Sequence, residues 1–294
     1  MAEARRYKTP QALRTALEAR LQEMARSRGT DIQRLRRRVA FDRFLARLFT
    51  VEPLQRYPWF LKGGYAMELR MRHARATKDI DLTLAGGGKA AGEGEEAERI
   101  RGLLQQASSV KLPDEFIFVV GESVLELDAP PEGGSRYPVH ATMAGRTFAR
   151  FRVDVGIGEE SSDPMDRVEG EGWFDFAGLP RPEFRMISRE QQFAEKIHAY
   201  TLPRAADREN TRVKDLIDLL LLQATPMEFQ RVRENIRRTF ERRNTHPVPV
   251  TLAFPPAAWG ARFEMLAKDC GLSPKMEQAF QQLAAYFADL NRKG

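Results

Sequence analysis

Two carboxylates two positions apart, Asp79 and Asp81 in the stretch KDIDLTL, carry the strongest chemical signal in the chain. On a strand, successive side chains point to opposite faces, so Asp79, Asp81 and Thr83 share one face while Ile80, Leu82 and Leu84 share the other. At about 3.3 Å rise per residue the two carboxylate-bearing Cα atoms lie roughly 6.5–7 Å apart, close enough for their side-chain oxygens to converge on a divalent ion. Hard oxygen ligands of this kind suit Mg²⁺, which usually keeps waters and is shared with substrate phosphates. Upstream, Gly63-Gly64 lets the backbone approach a phosphate, and a helix starting there would offer free N–H groups to an anion. A lone D-x-D more often marks the solvated face of an amphipathic strand. Here the Gly pair, a helix-like segment with Ala66, Leu69 and Met71, the lead-in Arg75-Ala76-Thr77-Lys78 and the D-x-D strand occur in order. The stretch from Trp59 to Leu84 is therefore read as helix end, Gly-Gly turn, helix and strand.

Other elements must hold this stretch in place. Residues 9–49 read as two helices. Thr9 caps the first, with Pro10 at its first position and an apolar stripe of Leu13, Leu17, Leu21 and Met24 running to Gly29. Asp31 caps the second, which carries Ile32, Leu35, Val39, Phe44 and Leu48 with six arginines (34, 36, 37, 38, 43 and 47) that fit either nucleic-acid phosphates or surface ion pairs. A helix is expected over 95–107, and short strands over 116–120, 123–127 and 139–143, separated by Gly/Pro turns at 129–131 and 133–134. In RTFARFRVDV, 146–155, alternation puts Asp154 on a polar face with Arg150 and Arg152, either of which could pair with it. The acidic run 159–172 reads as a surface loop. From Ser188 the character turns helical: 190–200 with Phe193, Ile197 and Tyr200 on one stripe, a polar link over 203–212, then 213–222 with Asp215 and Asp218 one turn apart. Beyond Pro226 a basic helix carries Arg231, Arg238 and Arg242 on one side, a candidate phosphate-contacting stripe whose alternative is pairing with Glu228, Glu234 and Glu241. A Pro-rich extended segment over 246–256 and two final helices complete the chain.

The 294 residues suffice for one large or two modest domains. With 30% charged and 42% hydrophobic residues the composition is globular, and the net charge of +6 favours a polyanionic partner. No run of 18 apolar residues and no leader-like N-terminus is present, so neither a membrane span nor a signal peptide is expected, and the expected location is cytoplasmic. A single cysteine, Cys270, excludes a disulfide framework and a cysteine-based zinc cluster. Four scattered histidines lack zinc spacing. Gly86-Gly87-Gly88-Lys89 lacks P-loop spacing, and no G-x-S-x-G or strand-linked G-x-G-x-x-G is found.

Lys62-Gly63-Gly64, Leu69-Arg70 and Thr77-Lys78-Asp79-Ile80-Asp81, followed by E-K-x-H-A at 195–199 and R-x-K-D-L-x-D-L at 212–219, resemble the AbiEii-type (MenT-like) toxins of the nucleotidyltransferase superfamily. The resemblance spans about residues 60–222. It implies an α/β (α+β) fold, a mixed sheet flanked by helices over 1–187, then a helical C-terminal domain over 188–294. It implies metal-dependent transfer of NMP from an NTP to an acceptor hydroxyl, with the 3′ end of tRNA as acceptor and a cognate antitoxin as partner. Asp79, Asp81 and Asp154 would ligate Mg²⁺ or Mn²⁺. Lys196 and Asp215 would be active-site residues, and Lys62, Gly63, Gly64, Thr77 and Lys78 would contact the nucleotide. Outside the resemblance, Arg238 and Arg242 of the basic stripe are the candidate RNA contacts. Tyr65 departs from the Ser or Thr that relatives often carry after the glycines. Two other readings remain open from sequence: transfer to a small-molecule or protein hydroxyl, and a helical nucleic-acid-binding protein with an inert D-x-D strand.

Overall fold

A computed structural model describes residues 7–50, 57–86, 93–126, 133–158, 164–203 and 212–292. Two compact units emerge. Of the described residues, one takes those within 7–69, 76–158 and 166–186, and the other takes 70–75, 164–165 and those within 187–292.

The first unit is built on an eight-stranded mixed sheet. Its elements in chain order are α1 (Pro10–Arg28), α2 (Ile32–Thr50), β1 (Trp59–Lys62), α3 (Gly63–Arg70), β2 (Asp79–Ala85), α4 (Glu93–Ser109), β3 (Phe116–Val120), β4 (Leu125–Glu126), β5 (Gly134–Met143), β6 (Arg146–Gly158), β7 (Asp166–Glu169) and β8 (Glu183–Met186). The strand order is β3-β5-β6-β2-β1-β8-β7, with β4 beside β5. β2 runs parallel to β6 and antiparallel to β1. Thr9 accepts from the Ala12 N–H to start α1, and Gly29 ends it at φ 59°, as its lack of Cβ allows. Leu13, Leu17 and Leu21 of α1, Phe41, Phe44 and Leu48 of α2 and Leu104 of α4 bury one face of the sheet together with Ile80, Leu82, Val153 and Val155. The alternate residues of β2, β5 and β6 stand on the other face.

Several expectations change here. Trp59–Lys62 is a strand rather than a helix end: all four residues pair with β2, and four residues are too few to display a period in sequence. α3 stops at Arg70, leaving Met71 beyond it. Within the acidic stretch read as a loop, Asp166–Glu169 forms β7 on the sheet edge, paired with β8. β5 also starts at Gly134, earlier than the expected 139, and the strand expected over 123–127 starts only at Leu125, in β4, its last residue lying outside the described ones. The turn at 129–131, most of the link at 203–212 and Gly87-Gly88-Lys89 lie outside the described residues.

The second unit is helical: α5 (Arg189–Thr201), α6 (Val213–Gln223), α7 (Phe229–Arg243), α8 (Gly260–Asp269) and α9 (Met276–Arg292). Ser188 caps α5 by accepting from the Gln191 N–H. The stripe of Phe193, Ile197 and Tyr200 is buried, as are Leu216, Leu219 and Leu220 of α6. No helix among the described residues is long and apolar enough to cross a membrane.

Candidate active site

The ladder registers of the sheet bring four charged residues into one row. Lys62 of β1 lies opposite Asp81 of β2, Asp81 opposite Asp154 of β6, and Asp154 opposite Arg136 of β5. Ladder partners share a face, so the row reads plus, minus, minus, plus across four strands. Two residues along, Asp79 lies opposite Arg152. The Lys62 chain reaches across β2: a Cβ built on Gly156 of β6 would sit 3.4 Å from its Nζ.

The turn from β1 into α3 fits against this row. Gly63 has φ +65°, and a Cβ there would lie 2.0 Å from Asp81 Oδ2, so both conformation and space demand glycine. Gly64, in the first turn of α3, donates its N–H to Asp81 Oδ2 at 3.3 Å. A carboxylate at a helix N-terminus meets the positive end of the helix dipole.

Asp79 and Asp81 have the chemistry to hold a divalent ion. Asp79 Oδ1 is buried without a hydrogen-bond partner; Arg152 Nε lies 3.1 Å away as an ion pair that lacks hydrogen-bond geometry. A carboxylate oxygen that is ion-paired but not hydrogen-bonded, beside a second carboxylate, fits a hard cation. Asp154 stands differently. Arg136 donates to both its oxygens, at 2.7 and 2.6 Å, so its partner is neither Arg150 nor Arg152. These bonds to Asp154, with added pull from Asp79 and Asp81, raise the pKa of Arg136 above its ordinary value. Among the described residues no three Asp, Glu, His or Cys side chains are gathered for a metal ion.

The segment before Asp79 is anchored by Glu68, buried in α3. Its Oε1 accepts from the Thr77 N–H at 2.6 Å and its Oε2 from Arg34 Nε and Nη2 at 3.0 and 2.9 Å. Sequence reasoning passed over Glu68, although it stands beside the Leu69-Arg70 pair that carried part of the resemblance.

In the helical unit, Lys196 of α5 donates to Asp215 of α6 at 2.7 Å and lies 2.9 Å from Asp218 Oδ2. Arg75 donates to both oxygens of Asp218, at 2.9 and 2.8 Å. Burial alone would pull the Lys196 pKa down, but Asp218 and Asp215 outweigh it and raise it, so the ammonium keeps its charge. Burial works against the charge of Asp218 too, yet Lys196 and Arg75 hold its pKa below the ordinary value. Two cations and two anions thus close on themselves.

Residues 43–286 match the family described as nucleotidyl transferase AbiEii toxin, type IV toxin–antitoxin system. The chain belongs to this AbiEii family. Among solved structures it is similar to MenT4, a nucleotidyltransferase toxin from Mycobacterium tuberculosis H37Rv, at 17% identity and a TM-score of 0.55, over 93% of this chain and 98% of that one. JHP933 from Helicobacter pylori aligns at 13% identity and a TM-score of 0.48, over 90% and 94%. A search of curated proteins found no match. Family membership makes the chain a toxin nucleotidyltransferase rather than a non-catalytic nucleic-acid-binding protein.

Within this AbiEii chain Tyr65 has a part of its own. It is fully buried, and its hydroxyl donates to Asp42 of α2. The departure from Ser or Thr thus serves the core and turns the side chain away from any phosphate. Of the two readings open for the arginines of α2, the ion pairs are the one seen. Arg34 pairs with Glu68, Arg36 with Glu18, Arg38 with Glu171, and Arg43 and Arg47 with the buried Asp114, so five of the six hold the fold together. On α7, Arg237 bridges Glu234 and Glu241, and Arg238 lies 2.6 Å from Glu234, the salt-bridge spacing that was the alternative to RNA contact. Arg231 lies 3.7 Å from Glu190. Arg242 is exposed with no ion pair among the described residues.

Proposed function

We propose that this AbiEii nucleotidyltransferase moves NMP from an NTP to the 3′-terminal hydroxyl of tRNA, with pyrophosphate leaving, and that a cognate antitoxin restrains it. The observation that carries the reading is the fit of Gly63-Gly64 against Asp81, on the same strand face as Asp79, whose Oδ1 accepts no hydrogen bond. Asp79 and Asp81 would hold Mg²⁺, which supplies charge neutralisation for the phosphates when bound. The N–H groups at the start of α3 and the ammonium of Lys62 receive phosphate oxygens on the same face, and Thr77 and Lys78 contact the nucleotide from the segment that Glu68 anchors. Asp154, opposite Asp81 in the ladder, takes the acceptor hydroxyl's proton as its oxygen forms the new bond to phosphorus and the bond to pyrophosphate breaks. Arg136 aims that carboxylate. Within the helical unit, Lys196 is the cation offered to phosphate, with Asp215 orienting it, and Arg242 rather than Arg238 is the α7 arginine left open for RNA phosphate.

Incubation with each α-labelled NTP, Mg²⁺ and total tRNA tests the reading. Label at the RNA 3′ end, absent in Asp79→Asn, is the expected result. Label on a small molecule or a protein, with none on RNA, replaces the acceptor.

A further inference from the structure

The carboxylate face does not end at β6. Pro138 of β5 lies opposite Arg152, His140 opposite both Arg150 and Val119 of β3, and Ile117 of β3 opposite Thr142. The residues two apart along each strand share a face, so a continuous strip runs from Asp79 to the sheet edge. β3 is that edge, and Ile117 and Val119 are 61% and 59% exposed on it. Exposed aliphatic residues on an edge strand invite association, which proteins ordinarily blunt with charge. Here the charge is of one sign. Apart from Asp154 itself, β3, β5 and β6 contain no Asp or Glu. Arg152 is half exposed, and Arg150 is exposed without an ion pair among the described residues.

An apolar patch beside the exposed Arg150 and the half-exposed Arg152, whose one ion pair is with Asp79, matches a single-stranded nucleic acid, whose phosphates need cations and whose unstacked bases need an apolar surface. A folded protein partner adding to the β3 edge would gain nothing from arginines two strands inward. The reach is suitable. Three strand spacings of about 4.8 Å and one two-residue step put Val119 roughly 16 Å from Asp79. At about 3.4 Å per stacked nucleotide, that is within about five nucleotides of the reacting end.

We propose that the single-stranded 3′ end of the acceptor RNA lies along this strip, with phosphates on Arg150 and Arg152 and a base against Ile117 and Val119. The inference rests on the transfer reading above and adds the track by which the acceptor reaches Asp154. The strip's two exposed positions and Arg150 lie outside the carboxylate row, so substitutions there leave the nucleotide end intact.

The test uses the full chain as Ile117→Ser/Val119→Ser and as Arg150→Glu, with a fluorescent single-stranded RNA of the tRNA acceptor end as probe. Anisotropy across a salt series gives affinity and slope, and calorimetry gives NTP binding in Mg²⁺. Each variant should weaken RNA binding about tenfold, and Arg150→Glu should flatten the log–log salt slope by about 0.7. NTP affinity and melting temperature should match the parent. Unchanged RNA affinity in both variants overturns the track, and so does a parent protein that binds NTP but no RNA. Loss of a protein partner with RNA affinity unchanged also overturns it, giving the edge to that partner. A parent that binds no NTP strikes the transfer reading itself, and the two failures are read separately.

Discussion

Asp79 and Asp81 differ from the other aspartates in what their removal should do. Asp79→Asn and Asp81→Asn relieve repulsion between neighbouring carboxylates, so the melting temperature should hold or rise slightly while transfer falls at least about a thousandfold, the scale of several kcal/mol of lost charge stabilisation. Transfer at the parent rate in either variant would dispose of the proposed role. Lys196 should behave in the opposite way. It is nearly buried between Asp215 and Asp218, and Lys196→Met leaves that pair with Arg75 and the partly exposed Arg212. Breaking a buried ion cluster from one side costs about 3–5 kcal/mol, so urea unfolding should show a large loss alongside the loss of transfer. A fully stable but inactive Lys196→Met would mean that Lys196 serves the phosphates alone.

Among the elements, α3 and β2 were legible because their signals are local: a Gly-Gly start, an alternating strand and a D-x-D spacing all lie within one short window. The partners that tune them were not. Arg136 stands 18 residues from Asp154 and Arg34 stands 34 from Glu68, and only the ladder register or helix packing joins them. The same limit hid β1, β7 and β8, four residues each, and it left the arginines of α2 open between nucleic-acid phosphates and surface ion pairs, because Asp114, Glu68 and Glu18 lie elsewhere in the chain. Glu68 shows what such a partner does for an element. Because one oxygen takes Thr77 and the other takes Arg34, Glu68→Gln can keep the bond to Thr77 but loses the charge, and Glu68→Ala loses both. Stability should fall by about 1.5–3 kcal/mol in each. NTP affinity should fall further in Glu68→Ala than in Glu68→Gln, because only the alanine frees the lead-in to Asp79. Equal NTP affinities by calorimetry would reduce Glu68 to a packing residue.

Across the whole molecule, acid should act on the two units with opposite signs. In the sheet unit Asp42 is wholly buried, and burial pushes its carboxyl from 3.8 up to about 6 despite hydrogen bonds from Tyr65 and Trp173 and the charges of Arg38 and Arg43. The folded state then binds a proton more tightly than the unfolded one, so the contribution of Asp42 is full below about pH 4 and is lost as pH rises through 6. In the helical unit burial pushes His198 from 6.5 down to about 4, with Arg243 and His246 adding to the effect. Arg243 donates to Nδ1 at 3.1 Å, so the neutral ring carries its proton on Nε2, facing Thr245 Oγ1 at 2.8 Å. Here the unfolded state binds the proton more tightly, and stability that is full above about pH 6.5 is lost as pH falls toward 4. Each effect is of order 2 kcal/mol across its window, because a tenfold change in proton affinity is worth about 1.4 kcal/mol before structural relaxation and solvent screening reduce it. Fluorescence can separate them, since Trp59 and Trp173 report the sheet unit and Trp259 the helical one. In single-tryptophan variants unfolded in urea between pH 7 and 4.5, the Trp259 midpoint should fall with acid and His198→Gln should flatten it. The Trp173 midpoint should hold or rise, and Asp42→Asn should remove that gain. If His198→Gln leaves the acid slope at Trp259 unaltered, the acid sensitivity of the helical unit belongs to its exposed ion pairs instead.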